Sequence, residues 1–331
     1  MYTKIKNKAL GTKKSIAIIT PGGDAPGMNA AIRAVVRSAL DRNMEIWGIM
    51  RGYDGLLEKD FIRLYARSVS GILHHGGTIL KSSRSSEIRN EEAIKRAAYI
   101  LKEKDIHALI VIGGDGSIHA AHRISRYGVG VVGVPASIDN DIYGTDETIG
   151  YDTTLDTVVD AVDKIRDTAS SFDRIFVVEV MGRSHGYLAL DAALACGAEF
   201  VVIPEIKISL HRLAAEIKKE RSRAKTSVII IFAEGAGSSA EFATRLSKLS
   251  GYETRVSTLG YIQRGGAPTG RTRILAARFA ERAIELVRTN RLNRLVGIKN
   301  GQITDIPISD IINRTKPIDL KLYKLIERLG R

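Results

Sequence analysis

The chemistry of this chain is concentrated between Pro135 and Thr153, where Ser137, Asp139, Asp141, Asp146, Glu147 and Asp152 crowd together. The surrounding protein is basic, with 50 Lys and Arg against 37 Asp and Glu, a net charge of +13. Carboxylates gathered this closely suit a hard divalent cation, the removal of a proton from a hydroxyl group, or both. The plainer reading is a solvated turn rich in Asp, Asn and Gly. It ranks lower, because such turns seldom carry so many acids between two apolar elements. Val131, Val132 and Val134 lead in as a buried strand would. Leu155, Val158, Val159, Val162 and Ile165 lead out at helical spacing, with Asp152 or Thr153 as the expected cap. The acidic stretch is therefore expected at the C-terminal end of a sheet strand, where open α/β sheets bind ligands.

Two glycine turns have a related character. Ser15 to Thr20 reads as a strand, followed by Pro21-Gly22-Gly23-Asp24-Ala25-Pro26-Gly27 and a helix through Met28, Ile32, Val35, Val36 and Leu40. His107 to Ile112 reads as a second strand, running into Gly113-Gly114-Asp115-Gly116-Ser117 and another helix. Glycines let the backbone approach an anion, and a helix N-terminus presents free N–H groups to it. Asp115, in the middle of the second turn, is placed to carry magnesium bound to a nucleotide. No Gly-Lys-Ser/Thr follows the first turn, which excludes a Walker loop.

Arginines complete the set. Arg84 ends a polar loop that begins at His74, and Arg174, Arg183, Arg255 and Arg264 fall near the ends of further strands. Glycine turns, magnesium carboxylates and guanidinium forks are the parts of phosphoryl transfer, in which positioning and charge neutralisation do most of the catalysis. Arg33 and Arg37, four apart, share one helix face, which without further context reads as a solvated basic surface.

Composition narrows the field. A net charge of +13 favours an anionic partner, but aromatics are only 6% and none are interleaved with the basic residues, so a single-strand nucleic-acid platform is not expected. Cys196 is the single cysteine, which excludes a disulfide framework and suits a reducing cytosol. Between Ala195 and Gly197 it reads as helix-end packing rather than a nucleophile. No apolar run approaches a membrane span, and Lys4, Lys6, Lys8, Lys13 and Lys14 form a basic arm rather than a secretory signal.

The elements needed to position these residues alternate along all 331 residues. Strands are expected at Glu45 to Met50, Arg174 to Val180, Phe200 to Ile203, Ser227 to Phe232 and Val256 to Leu259. Helices are expected at Glu91 to Lys104, Tyr187 to Cys196 and Arg271 to Arg288, and Arg51 to Gly55 reads as a turn. Alternation of this kind predicts an α/β protein with mainly parallel sheets, and the length predicts two domains. No internal repeat or low-complexity linker is present.

Five segments in order carry a resemblance: Gly22-Gly23-Asp24-Ala25-Pro26-Gly27-Met28-Asn29-Ala30, Gly113-Gly114-Asp115-Gly116-Ser117, Ile138-Asp139-Asn140-Asp141-Ile142, Met181-Gly182-Arg183, and Gly260-Tyr261-Ile262-Gln263-Arg264-Gly265-Gly266. Across roughly residues 15 to 300 the chain resembles the bacterial ATP-dependent 6-phosphofructokinases. The resemblance implies two three-layer α/β/α domains with the active site in the cleft between them: residues 1–150 plus 263–313 for ATP, and 151–262 plus 314–331 for fructose 6-phosphate. It implies Asp139 as the base toward the sugar 1-hydroxyl, with Ser137 beside it and Arg183 and Arg84 neutralising the moving phosphoryl group. Gly23, Tyr53, Arg84, Ser85, Gly114, Asp115, Gly116 and Ser117 would hold ATP, and Asp115 and Asp141 would manage Mg2+. Ser137, Ile138, Asp139, Met181, Gly182, Arg183, Glu234, Tyr261 and Arg264 would contact the sugar phosphate, with Arg174 and Arg255 reaching in from a neighbouring subunit of a homotetramer. Arg33, Arg37, Arg166, Gly197, Glu199, Arg223 and Lys225 would form an effector site for ADP or phosphoenolpyruvate. A cytoplasmic enzyme using no nucleic acid and no membrane is the expected whole.

The chain departs from the family pattern at three places. Ser137 stands where the family has threonine, Tyr261 where it has a histidine contacting the sugar phosphate, and Ala66-Arg67 where it has an arginine–tyrosine pair in the effector site. Pyrophosphate-using relatives place an acid at the position of Gly116 and a lysine at that of Ala136; both are small here, which points to ATP. A pyrophosphate-dependent enzyme and a catalytically silent metabolite sensor stand as alternatives, and a nucleic-acid-binding module would explain the charge alone.

Overall fold

The computed structural model describes residues 13–172, 174–221 and 227–330. In chain order the elements are β1 (Ser15–Ile19), α1 (Met28–Asp41), β2 (Glu45–Ile49), α2 (Gly52–Leu57), β3 (Phe61–Arg63), α3 (Glu91–Glu103), β4 (Ala108–Gly113), α4 (Asp115–Ser125), β5 (Gly130–Ser137), β6 (Ile149–Gly150) and α5 (Tyr151–Phe172). They continue with β7 (Ile175–Val180), α6 (Tyr187–Ala195), β8 (Phe200–Val202), α7 (Leu210–Arg221), β9 (Val228–Ala233), α8 (Ser239–Ser250), β10 (Thr254–Thr258), α9 (Gly270–Arg288), β11 (Arg294–Lys299), β12 (Gln302–Pro307) and α10 (Leu320–Leu329).

Among the described residues the strands form two sheets. The larger runs β12-β11-β5-β4-β1-β2-β3, with β6 paired to the end of β5; the smaller runs β10-β7-β9-β8. All pairs are parallel except β2 with β3 and β11 with β12. Near-continuous apolar runs such as Ile16–Ile19, Ala108–Ile112 and Val228–Ala233 are buried, as strands covered on both faces require. The larger sheet has one apolar layer against α1 and α9 and another against α2, α3 and α4. The smaller sheet is likewise covered on both faces, by α5, α6 and α10 on one and by α7 and α8 on the other.

Several expectations are corrected. Arg51 to Gly55 is not a plain turn: after Arg51, which is left-handed at φ 55°, the helix α2 buries Tyr53, Leu56 and Leu57. A β-carbon on Gly55 would lie 1.7 Å from the Met50 carbonyl oxygen, so glycine is what lets this helix fold back on its strand. Asp152 and Thr153 do not cap α5. Their side chains reach across to the start of α9 instead, where Thr153 bonds Thr272 at 2.9 Å and Thr269 donates to Asp152. Pro135 to Ser137 belong to β5, so the acidic loop begins at Ile138. Lys14, expected in a basic arm, donates to the Val287 carbonyl at the end of α9, a favourable place for a cation. Residues 1–12 lie outside the described residues. Cys196 caps the end of α6, where burial pushes its thiol up to about 11; this is helix-end packing, with no thiolate at neutral pH.

Candidate active site

The two glycine turns meet through one serine. Ser117, in the first turn of α4, donates its hydroxyl to the Pro21 carbonyl at 2.9 Å, and its own carbonyl accepts from Tyr53 at 2.7 Å. A β-carbon on Gly22 or on Gly113 would come 2.9 Å from Ser117 atoms, so only glycines let the turns after β1 and β4 lie side by side. Tyr53 is held with its hydroxyl inside the protein, and burial raises its titration. The segment carrying Arg84 is tied to the same place: Gly22 donates to the Ser83 carbonyl, Ser82 to the Gly22 carbonyl and Ser83 to the Arg51 carbonyl.

The acidic loop follows β5. Asn140 takes the left-handed conformation at φ 52°, which asparagine tolerates better than most residues. Its side chain donates to the Asp146 carbonyl, and Lys316 donates to the carbonyls of Asn140 and Asp146 at 3.1 and 2.8 Å. Ser137 bridges the two acids, accepting from the Asp139 N–H at 3.2 Å and donating to Asp141 at 3.4 Å.

Opposite stands the loop after β7. The Met181 N–H donates to the Gln263 side-chain oxygen at 3.1 Å, while Gly182 and Arg183 donate theirs to Glu234 at 3.3 and 2.6 Å. A β-carbon on Gly235 would lie 2.3 Å from the Arg183 carbonyl oxygen, so Glu234 reaches this loop only because a glycine follows it. Arg264, from the 3₁₀ turn after β10, is nearly buried and approaches Asp24 at 3.7 Å.

Together these elements enclose a cavity of about 300 Å3. It is lined by Gly23, Tyr53, Arg84, Ser85, Gly114, Asp115, Gly116, Ser117, Ser137, Ile138, Asp139, Arg183 and Arg264 from the sequence reading. His119 and Arg123 line it too and were missed there, although Asp115, His119 and Arg123 recur every four residues along one face of α4. Met181, Gly182 and Glu234 sit behind Arg183, and Tyr261 stands exposed at the rim, its ring 5.7 Å from the Arg264 guanidinium.

Five buried side-chain polar atoms lack a hydrogen-bond partner among the described residues. Three of them, Asp139 Oδ1, Arg264 Nε and His119 Nε2, belong to residues lining this one cavity. Unsatisfied buried polar atoms are costly and call for an explanation, which a ligand in this cavity supplies for these three. Asp139 is pushed up to about 7, first by burial and then by Asp141 and Glu234, against the opposing pull of Arg183 and Arg264. Asp115 is also raised, by burial and by Asp141, with His119 pulling the other way.

Asp115 and Asp141 fit a hard divalent cation. They are close enough to repel one another, and no Lys or Arg among the described residues forms an ion pair with either. No described group of three or more His, Cys, Asp or Glu makes a complete protein cage. Two carboxylates with the remaining positions left to phosphate oxygens and water is how Mg2+ is commonly held beside a nucleotide.

Other expected site residues lie elsewhere. Arg174 and Arg255 both pair with Glu253 at the N-terminal ends of β7 and β10, a strand's length from Arg183, so this chain's own cavity does not include them. Arg166 donates to the Cys196 and Gly197 carbonyls and lies 3.7 Å from Glu199, which brings those three together. Arg33 and Arg37 are on α1, beside the larger sheet. Arg223 and Lys225 lie outside the described residues. No helix among the described residues is long and apolar enough to cross a membrane.

Glycine turns at strand ends, paired carboxylates and converging guanidinium groups make a site of the class that handles phosphate groups. The phosphofructokinase family model matches residues 15–287, and the chain belongs to that family. It is 48% identical over 317 residues to the ATP-dependent 6-phosphofructokinases of Clostridioides difficile and Shouchella clausii, covering 96% of this chain and 99% of each relative. Among solved structures it superposes on phosphofructokinase from Saccharomyces cerevisiae with a TM-score of 0.84 and 35% identity over 96% of its length, spanning about half (47%) of the yeast chain. A pyrophosphate-dependent phosphofructokinase from Marinobacter aquaeolei shares the fold at a TM-score of 0.82 with 20% identity, covering 93% of this chain and 86% of that one.

Proposed function

We propose that this chain is an ATP-dependent 6-phosphofructokinase, moving the γ-phosphoryl group of ATP to the 1-hydroxyl of fructose 6-phosphate. The observation that carries the reading is Asp139 Oδ1: a buried carboxylate oxygen without a hydrogen-bond partner among the described residues, in the loop after β5, on a cavity bordered by two glycine turns and by Arg84, Arg183 and Arg264 among other arginines. Asp139 takes the hydroxyl proton as the sugar oxygen bonds to the γ-phosphorus, and the bond from that phosphorus to the β–γ bridging oxygen breaks, releasing ADP. Arg183 and Arg84 neutralise the charge on the group in transit, and Arg264 holds the 6-phosphate. Asp115 and Asp141 would hold Mg2+, which would supply charge screening to the phosphate oxygens.

The relatives at 48% identity are named for ATP, and the pyrophosphate-dependent protein at 20% shares the fold alone. Gly116 supports the same donor, since a β-carbon there meets nothing within 4 Å and the space in front of it stays free for a nucleotide phosphate. We assign the ATP half to residues 1–150 plus 263–313, and the sugar half to residues 151–262 plus 314–331. Arg174 and Arg255 complete the sugar site of a neighbouring subunit in a homotetramer. Arg166, Gly197 and Glu199, together with Arg33 and Arg37, receive ADP or phosphoenolpyruvate as effector. The cytoplasm is the compartment that suits this substrate pair and the single cysteine.

A coupled assay with fructose 6-phosphate, comparing ATP with pyrophosphate in the presence of Mg2+, tests the reading. Turnover with ATP supports it. Turnover with pyrophosphate alone overturns the choice of donor, and ATP binding without turnover makes the protein a sensor.

A further inference from the structure

Gln263 is fully buried, and it joins the two loops that bring Arg183 and Arg264 to the cavity. Its side-chain oxygen accepts the Met181 N–H at 3.1 Å, two residues before Arg183. Its side-chain nitrogen donates to the Gly260 carbonyl at 3.0 Å, within the 3₁₀ turn that ends in Arg264. Its main-chain carbonyl accepts from Thr154 of α5 at 2.8 Å, which fixes the turn against the helix that follows the acidic loop. With Glu234 holding the next two amides, Met181, Gly182 and Arg183 have all three N–H groups secured by side chains.

We propose that Gln263 is a positioning residue that sets the separation of Arg183 and Arg264, and so the fit of the sugar phosphate between the group in transit and its 6-phosphate. The proposal rests on the phosphotransfer reading. Only a primary amide can do this work: one end must accept from an N–H and the other must donate to a carbonyl. Glutamate has nearly the same shape but sets an oxygen against the Gly260 carbonyl, and leucine leaves both loops unbonded in a buried place. Asparagine is one methylene too short to span them.

The test compares the intact chain with Gln263→Glu and Gln263→Leu, measuring melting temperature, kcat, and KM for fructose 6-phosphate and for MgATP. The expected result is a fall of about 10–100-fold in kcat/KM for fructose 6-phosphate, the order of loss that small displacements of reacting groups produce. KM for ATP stays near the parent value, a split that a loss of stability alone does not produce. Lower melting temperatures with an unchanged kcat/KM for fructose 6-phosphate, or an equal loss toward both substrates, overturn the proposal. Should both variants fail to fold, Thr154→Val decides: it removes only the hydroxyl on the Gln263 carbonyl, and the same changes in the same direction, smaller in size, are expected. A Thr154→Val enzyme identical to the parent overturns it. A parent chain inactive with fructose 6-phosphate and ATP overturns the functional reading and this proposal together, whereas an active parent with indifferent variants overturns this proposal alone.

Discussion

The Arg264 guanidinium occupies the space that a side chain on residue 23 would need: a β-carbon built on Gly23 would lie 2.5 Å from Arg264 Nη1. The first glycine turn is thus shaped around the arginine that reaches it from the far end of the chain. The backbone at Gly23 is not in the left-handed region, so alanine fits the turn itself and displaces only the flexible end of the arginine. Gly23→Ala should keep the melting temperature of the parent within a few degrees and raise KM for fructose 6-phosphate by about tenfold or more, since the guanidinium proposed to hold the 6-phosphate moves out of line. An unchanged KM for the sugar phosphate, measured by steady-state kinetics, removes Arg264 from that role.

Gly116 tests the donor. With nothing within 4 Å of a β-carbon, Gly116→Asp fits without strain in the protein. A new carboxylate there repels the phosphates of a nucleotide and should raise KM for ATP by about tenfold or more, leaving thermal stability and KM for fructose 6-phosphate close to the parent. A variant with an unchanged KM for ATP contradicts the placement of ATP against this turn.

Asp139 gives the pH dependence. As the base it must be ionised, and its titration near pH 7 makes kcat/KM fall about tenfold per unit as pH drops below that point. The stability effect has the opposite direction. A carboxyl raised in the folded chain contributes stability that is fully present below its ordinary value near 3.8 and is lost as pH rises through about 7. Asp139→Asn keeps the shape without the charge, so it should exceed the parent in stability at pH 8 by on the order of 2–4 kcal/mol and lose that advantage near pH 4. Thermal melts at the two pH values check this; a difference independent of pH contradicts the assigned burial of charge.

Lys316 braces the acidic loop from behind. Burial lowers its titration, with the neighbouring carboxylates opposing, and its ammonium is committed to the Asn140 and Asp146 carbonyls. Lys316→Met should lower stability by about 1.5–3 kcal/mol, the usual loss for hydrogen bonds to a charged group, and should reduce kcat because Asn140 no longer holds its left-handed turn. A denaturant titration and a turnover assay measure the two effects; full kcat with lowered stability confines Lys316 to a structural role.

Much of the cavity was legible in the sequence because its parts are local. The strand–glycine–helix units at Gly22 and Gly113 and the acidic run at Asp139 each advertise themselves within a dozen residues. What was missed depends on long-range placement. Gln263 belongs to a segment visible in the sequence, but nothing local says that its side chain ends on Met181. The role of Ser117 as the bridge between two glycine turns appears only when Pro21 is brought to it across 96 residues. The pairing of Thr153 with Thr272 overrode ordinary capping because packing α5 against α9 buries those hydroxyls together. The antiparallel pair β11–β12 escaped notice because Leu295 and Val296 are its only fully buried apolar residues, too short a run to read as a strand.

The most direct test of the account is turnover of fructose 6-phosphate and MgATP by Asp139→Ser, set beside its binding of the sugar phosphate. Loss of a general base predicts a fall of about 10²–10⁴-fold in kcat with binding largely retained. Turnover close to that of the parent would contradict the assignment of Asp139 as the group that takes the proton.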